Sequence, residues 1–203
     1  KVRKSLRTHL DIKKIKVGHA GTLDPLATGL VIICTGKATK QIMQYQDMDK
    51  AYIAQIKLGA TTPSFDLETE VDHTYSWEHI SMEEIEQALL DLSGDQEQLP
   101  PVFSAKSVDG KRAYTMARKG QKVELKPQAI HISQLKVLSA RLPDLTIQVD
   151  CSKGTYIRSL ARDLGKMLDS GAHLTGLRRT RIGPYHVDQA ITIDNFIEKI
   201  KLL

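Results

Sequence analysis

The residues of this chain best placed to do chemistry stand in one loop, Gly18-His19-Ala20-Gly21-Thr22-Leu23-Asp24-Pro25-Leu26-Ala27-Thr28-Gly29. It runs into the apolar stretch Leu30-Val31-Ile32-Ile33-Cys34. Three glycines in twelve residues allow turns that a Cβ would resist and let another molecule approach the backbone closely. Asp24 is the one acid of the loop, set before an apolar strand whose neighbours limit its water. A carboxylate so placed can serve as a base or a nucleophile. The Asp-Pro pair also fits a helix start, with Asp as N-cap and Pro at the first helical position, and both readings stay open at this stage. A P-loop phosphate cradle does not fit, because Ala38 follows Gly36-Lys37 where Ser or Thr is needed and Val31 stands at the first Gly position.

A second group of reactive side chains lies far along the chain. Cys151-Ser152-Lys153-Gly154-Thr155-Tyr156-Ile157-Arg158 joins an alternating strand to a helix. Thr155 is the expected N-cap, Ile157, Leu160, Ala161, Leu164 and Leu168 the core stripe, and Gly171 the end. Arg158 then falls in the first turn, where its charge opposes the positive end of the helix dipole. A nearby acid relieves that conflict, and Asp24 is the candidate; a surface Arg in solvent is the alternative.

Other elements must hold these two groups. Val2, Leu6 and Leu10, one turn apart, predict a helix over residues 1–14 that feeds the glycine loop. A short helix is expected from Gly36 to Tyr45. In Ala51 to Leu58, the residues Tyr52, Ala54, Ile56 and Leu58 share one face of a strand, with Tyr52 at the end where its ring can either pack or meet a ligand. Ser81 and Glu84 match a capping box, followed by the stripe Ile85, Ala88, Leu89 and Leu92. Two alternating strands follow at 130–137 and 145–151, then a basic strand through Leu177-Arg178-Arg179-Thr180-Arg181 and a last helix from Asp194.

Charge is segregated more than the net value of +5 suggests. Residues 66–97 carry 11 acids and no Lys or Arg, whereas residues 100–127 carry 7 basic residues and 2 acids. That pattern suits one polyanion-attracting face and one module held away from it, although charged runs also occur simply as solvated faces. Residues 100–127 hold too few apolar side chains for a core of their own, and the basic helix expected from Lys111 to Lys119 belongs to a protruding insertion. Arg178 and Arg179 suit phosphate contact. Cys34 and Cys151 form no zinc or disulfide pattern and are expected as small buried hydrophobes in a reducing, cytoplasmic setting. No stretch is apolar for the ~18 residues that would predict a membrane-spanning helix.

Taken together, the Gly18–Gly29 loop, Lys50-x-Tyr52, Pro100-Pro101 with Ser104-Ala105, Asp109-Gly110-Lys111, the Cys151–Arg158 stretch, Gly171-Ala172-His173 and Leu177-Arg178-Arg179 resemble the TruB family of tRNA pseudouridine synthases. The match runs along nearly the whole chain in the family's order. The resemblance implies an α+β pseudouridine synthase fold: one catalytic domain over residues 1–203, with a central mixed, mostly antiparallel sheet, flanking helices and a basic thumb at about 100–127. It implies isomerisation of the T-loop uridine of tRNA (position 55) with neither cofactor nor metal, and nothing in the sequence suggests more than a monomer. Asp24 becomes the catalytic aspartate, Arg158 the partner that aims it, and Tyr156 a packing residue with a role in proton transfer at C5. Tyr52 stacks on the flipped base, His19 helps hold the extruded nucleotide, Leu177 lines the pocket and Lys153 offers a phosphate contact. Lys111, Arg112 and Arg118 of the thumb, with Arg178 and Arg179, face the RNA backbone.

Three departures accompany the resemblance. The family's opening strand, with its Asp-Lys-Pro-x-Gly-x-Thr-Ser stretch, is expected before Lys1, and the PUA domain of many members has no counterpart in these residues. Within the thumb, Ser107 stands where Lys is usual and Lys106 takes the preceding apolar position. Two rivals remain at this stage: a non-catalytic RNA-binding or RNA-chaperone module, and a glycosidase-like hydrolase that frees uracil.

Overall fold

A computed structural model of the chain describes residues 1–11, 13–104, 106–108, 111–117 and 125–202. Helix α1 (Val2–His9) leads to strand β1 (Val17–Ala20), then β2 (Ala27–Gly29) and β3 (Ile32–Thr35). A 3-10 turn (Gly36–Gln41) runs into α2 (Ile42–Asp47) and β4 (Lys50–Leu58). Helix α3 (Met82–Asp91), β5 (Gly94–Gln98), the short helix α4 (Ala113–Ala117), β6 (Gln128–Arg141) and β7 (Asp144–Cys151) follow. The chain then forms α5 (Ile157–Met167), β8 (Ala172–Ile182), β9 (Tyr185–His186) and α6 (Ile193–Lys201).

The main sheet has the order β9-β8-β4-β7-β6-β5, antiparallel throughout, and β2 adds to β8 in parallel through Leu177↔Ala27 and Arg179↔Gly29. This is the mixed, mostly antiparallel α+β sheet expected. β4 lies at its centre with Tyr52, Ala54, Ile56 and Leu58 buried on one face, as its period of two requires. Ile147, Val149 and Cys151 of β7 and Leu174 of β8 extend that face, and Leu160, Ala161 and Leu164 of α5 cover it together with Ile85 and Leu89 of α3. Ser81 closes the predicted capping box with Glu84 in both directions.

Local structure departs from expectation in four places. The first helix, expected over residues 1–14, ends at His9. Thr155 does not cap α5; its hydroxyl donates back to the Ser152 carbonyl, and Tyr156 occupies the N-cap without a side-chain cap bond. Nor does Gly171 end that helix, since Asp169 takes the left-handed conformation (φ 48°) and Ala172 already begins β8. Lys111 and Arg112 pair as a two-residue strand with Ser107 and Val108, so the helix starts only at Ala113. Residues 118–120, where the basic helix was expected to end, lie outside the described residues.

Candidate active site

The glycine loop is suspended between two strands, β1 before it and β2 after it. Asp24 opens a turn: the Ala27 N–H donates to its carbonyl at 3.0 Å, with Pro25 in the second position. No helix begins there, so Asp24 is not an N-cap. At the far end Gly29 takes φ +104° and lies so close to the Arg179 backbone that a Cβ would collide with it. The Leu30 N–H completes the seam by donating to the Arg179 carbonyl at 2.9 Å. This need for a close backbone approach explains a glycine at that position.

Arg158 is the second residue of α5 and only 3 % exposed. Its Nε and Nη2 donate to the two Asp24 carboxylate oxygens at 3.0 and 2.8 Å, a two-point pairing that fixes the carboxylate's direction as well as its distance. The remaining guanidinium donors go to main-chain carbonyls, Nη1 to Ser64 at 3.2 Å and Nη2 to Phe103 at 2.9 Å. A second carboxylate, Asp66, stands 3.7 Å from Nε and is nearly buried. Asp66 is itself fixed by the Ser64 hydroxyl at 2.6 Å and the Glu68 N–H at 3.0 Å. Two carboxylates on one buried guanidinium answer the conflict between Arg158 and the helix dipole.

Asp24 opens onto a cleft of about 520 Å³, within the range of a small-ligand site. Tyr52, Tyr156, Arg158, Leu177 and Arg179 share its walls. Burial pushes the Tyr52 phenol up to about 12, while Tyr156, half-buried, is raised by burial as well. Lys50 also lines the cleft; burial, then the Arg179 charge, lowers its pKa, and its ammonium donates to the Gln46 and Met48 carbonyls. From α4, Tyr114 reaches the same cleft, donates to Glu68 at 3.0 Å and meets Phe103 edge to face.

Other predicted residues sit elsewhere. Arg179 was expected on the RNA-facing surface, but it is 2 % exposed, with Nε donating to the Leu30 carbonyl at 2.8 Å and Nη2 to the Gly21 carbonyl at 3.1 Å. It clamps the loop on both sides of Asp24, because a side chain on β8 next to β2 points under the loop rather than out. Arg178, its exposed neighbour, keeps the outward position. His19 is exposed on β1 and Lys153 pairs with Asp47 at 2.8 Å; neither lines the cleft. Arg118 lies outside the described residues. Asp66 and the Glu68–Tyr114 pair escaped the sequence reading. Their one signal was Ser64-Phe65-Asp66-Leu67-Glu68, acids in an aperiodic stretch rather than on a helix face.

This arrangement can be set beside known proteins. A family model described as TruB family pseudouridylate synthase (N terminal domain) matches residues 7–157, and one for the tRNA pseudouridylate synthase B C-terminal domain matches residues 158–202. The tRNA pseudouridine synthase B of Phocaeicola vulgatus is 58% identical over 198 residues, covering 98% of this chain and 84% of that protein. That of Parabacteroides distasonis is 57% identical, covering 98% and 86%. Among solved structures, a Cbf5-Nop10-Gar1 complex matches with TM-score 0.72 and 26% identity over 97% of this chain, which spans about half (49%) of the solved one. With a clamped carboxylate on a cleft of small-ligand size and a family model matching most of its length, the chain belongs to the TruB family of pseudouridine synthases.

Proposed function

We propose that this protein isomerises uridine to pseudouridine in tRNA, taking the T-loop uridine of the T-arm, with Asp24 as the reacting carboxylate. The observation that carries this reading is the two-point bond from buried Arg158 to Asp24 at the mouth of the cleft. A module that only bound RNA would gain nothing from an acid held where phosphates approach.

The reaction breaks the bond between N1 and C1′, turns the uracil and rejoins it through C5. One carboxylate suffices for this, by attack on C1′, by attack on the ring, or by removing the C2′ proton to give a glycal. Arg158 and the turn at Pro25 keep Asp24 aimed through the sequence, so little reorganisation is needed at the moment of reaction. Tyr52 offers an apolar ring face to the everted base, and stacking tolerates the ring's rotation because it carries no directional hydrogen bond. Leu177 lines the same cleft and helps exclude water, which would otherwise add to C1′ and leave an abasic ribose in the RNA. Tyr156 supplies an oxygen for the C5 proton. In this reading the enzyme works as a cytoplasmic monomer without a metal or cofactor, and exposed cations such as Arg178 hold the RNA backbone.

The test is product analysis on a T-arm stem-loop carrying uridine labelled with tritium at C5. Pseudouridine together with tritium release is expected. Free uracil among the products would instead indicate a hydrolase, and tight binding with neither product would indicate a binding module.

A further inference from the structure

Among the described residues, two buried side-chain hydroxyls have no hydrogen-bond partner, those of Ser5 and Ser104. Ser5 belongs to α1, away from the site. Ser104, 3 % exposed, stands on the wall of the catalytic cleft. A hydroxyl shut away from water without a partner is a standing cost to the fold, so its presence at a reaction site calls for a use. Its polar neighbour on that wall is Tyr156. Burial raises the Tyr156 phenol, the Ser104 hydroxyl is foremost among the groups that pull it back, Arg158 acts in the same sense, and Asp24 opposes both. The Ser104 carbonyl meanwhile accepts from the Tyr114 N–H at 3.0 Å, so the backbone here is held whatever the side chain does.

The geometry points to Ser104 as a positioning residue: its hydroxyl, unpaired in the free protein, donates to the Tyr156 oxygen when the nucleotide is bound and holds that oxygen ready to take the C5 proton once the new carbon–carbon bond has formed. This rests on the reading of Asp24 and Tyr156 given above. In that step the C5–H bond breaks and its proton passes to the ionised Tyr156 oxygen. The bonding pair becomes the C5=C6 double bond, the N1=C6 π pair returns to N1, and N1 takes a proton from water. Tyr156 ends neutral and later returns its proton to solvent. A donor on the phenolate favours the form that accepts the proton. The other charged or titratable groups around Tyr156 are Asp24 of the loop, Arg158 of its own helix, Lys50 and Tyr52 of β4, Arg179 of β8, and Glu68 with Tyr114 across the cleft.

The experiment is a double-mutant cycle of Ser104→Ala and Tyr156→Phe, under single-turnover conditions, on T-arm stem-loops with protium or deuterium at C5. Ser104→Ala is expected to slow turnover about tenfold, to raise the C5 isotope effect, and to move the rising limb of the rate to higher pH. It is expected to add nothing in the Tyr156→Phe background. Ser104→Cys, a weak donor of similar size, falls between wild type and alanine, which keeps the test open if alanine impairs folding. Slowing that adds to Tyr156→Phe, or an unchanged isotope effect, overturns the role of Ser104 alone. Full activity of Asp24→Asn or of Tyr156→Phe would overturn the parent reading instead.

Discussion

Replacing Arg158 and replacing Asp24 break the same ion pair, yet they should differ sharply in what they do to the fold. Arg158 is 3 % exposed and is shared between Asp24, whose side chain is about one-third exposed (34%), and Asp66, whose side chain is 6% exposed. Arg158→Met leaves Asp66 as a buried carboxylate without its cation, a change that typically costs about 3–5 kcal/mol. The Ser64 and Phe103 carbonyls lose a donor as well. Asp24→Asn leaves the cation balanced by Asp66, keeps an oxygen for one of the two bonds, and opens toward water. Its cost should be about 1 kcal/mol. Urea unfolding followed by Trp77, the single tryptophan and partly buried against the core, reads both values. The double variant Arg158→Met/Asp66→Asn should recover about half or more of the Arg158→Met loss, because no lone buried charge remains. Equal losses for Arg158→Met and Asp24→Asn, or no recovery in the double variant, would refute the view that Asp66 is the structural counter-charge and Asp24 the free one.

Three further outcomes are expected. Gly29→Ala should destabilise the fold by about 2–4 kcal/mol in urea, since a Cβ at φ +104° meets the Arg179 backbone, whereas Gly36→Ala, with open space around it, should cost about 1 kcal/mol. Tyr52 ionises at about 12 in the folded protein and about 10 in an unfolded chain, so the unfolded state loses its proton first. Stability is therefore full below pH ~10 and falls by about 3 kcal/mol as pH rises toward ~12, a loss that alkaline unfolding of Tyr52→Phe should lack. Neutralising Lys111, Arg112 and Arg118 should weaken RNA binding and flatten its salt dependence by about one unit of slope for each phosphate that is no longer neutralised.

What the sequence made legible follows from the range of the interactions involved. The faces of β4 and β7, the Ser81–Glu84 capping box and the core stripe of α5 depend on residues a few positions apart, and the structure shows each of them. Pairing Arg158 with Asp24 required one step of electrostatics across 134 residues: a misplaced charge needs a partner, and the loop held one acid. Asp66 escaped because a run of acids reads as a solvated face when only neighbours in sequence are considered. Arg179 was assigned to the RNA-facing surface because the parallel addition of β2 to β8, which turns its side chain under the loop, is a long-range pairing with no local mark. Thr155 departs from expectation for the opposite reason. Its hydroxyl donates to the Ser152 carbonyl in the turn before the helix, and the N-cap falls one residue later, at Tyr156.

The most direct measurement of the central claim pairs binding with single turnover for Asp24→Asn on the same T-arm stem-loop. The carboxylate is held at the cleft for chemistry rather than for grip, so affinity should stay within a few-fold of wild type while release of the C5 hydrogen disappears. Near-normal release by that variant, or loss of binding in step with loss of release, would contradict the assignment of Asp24.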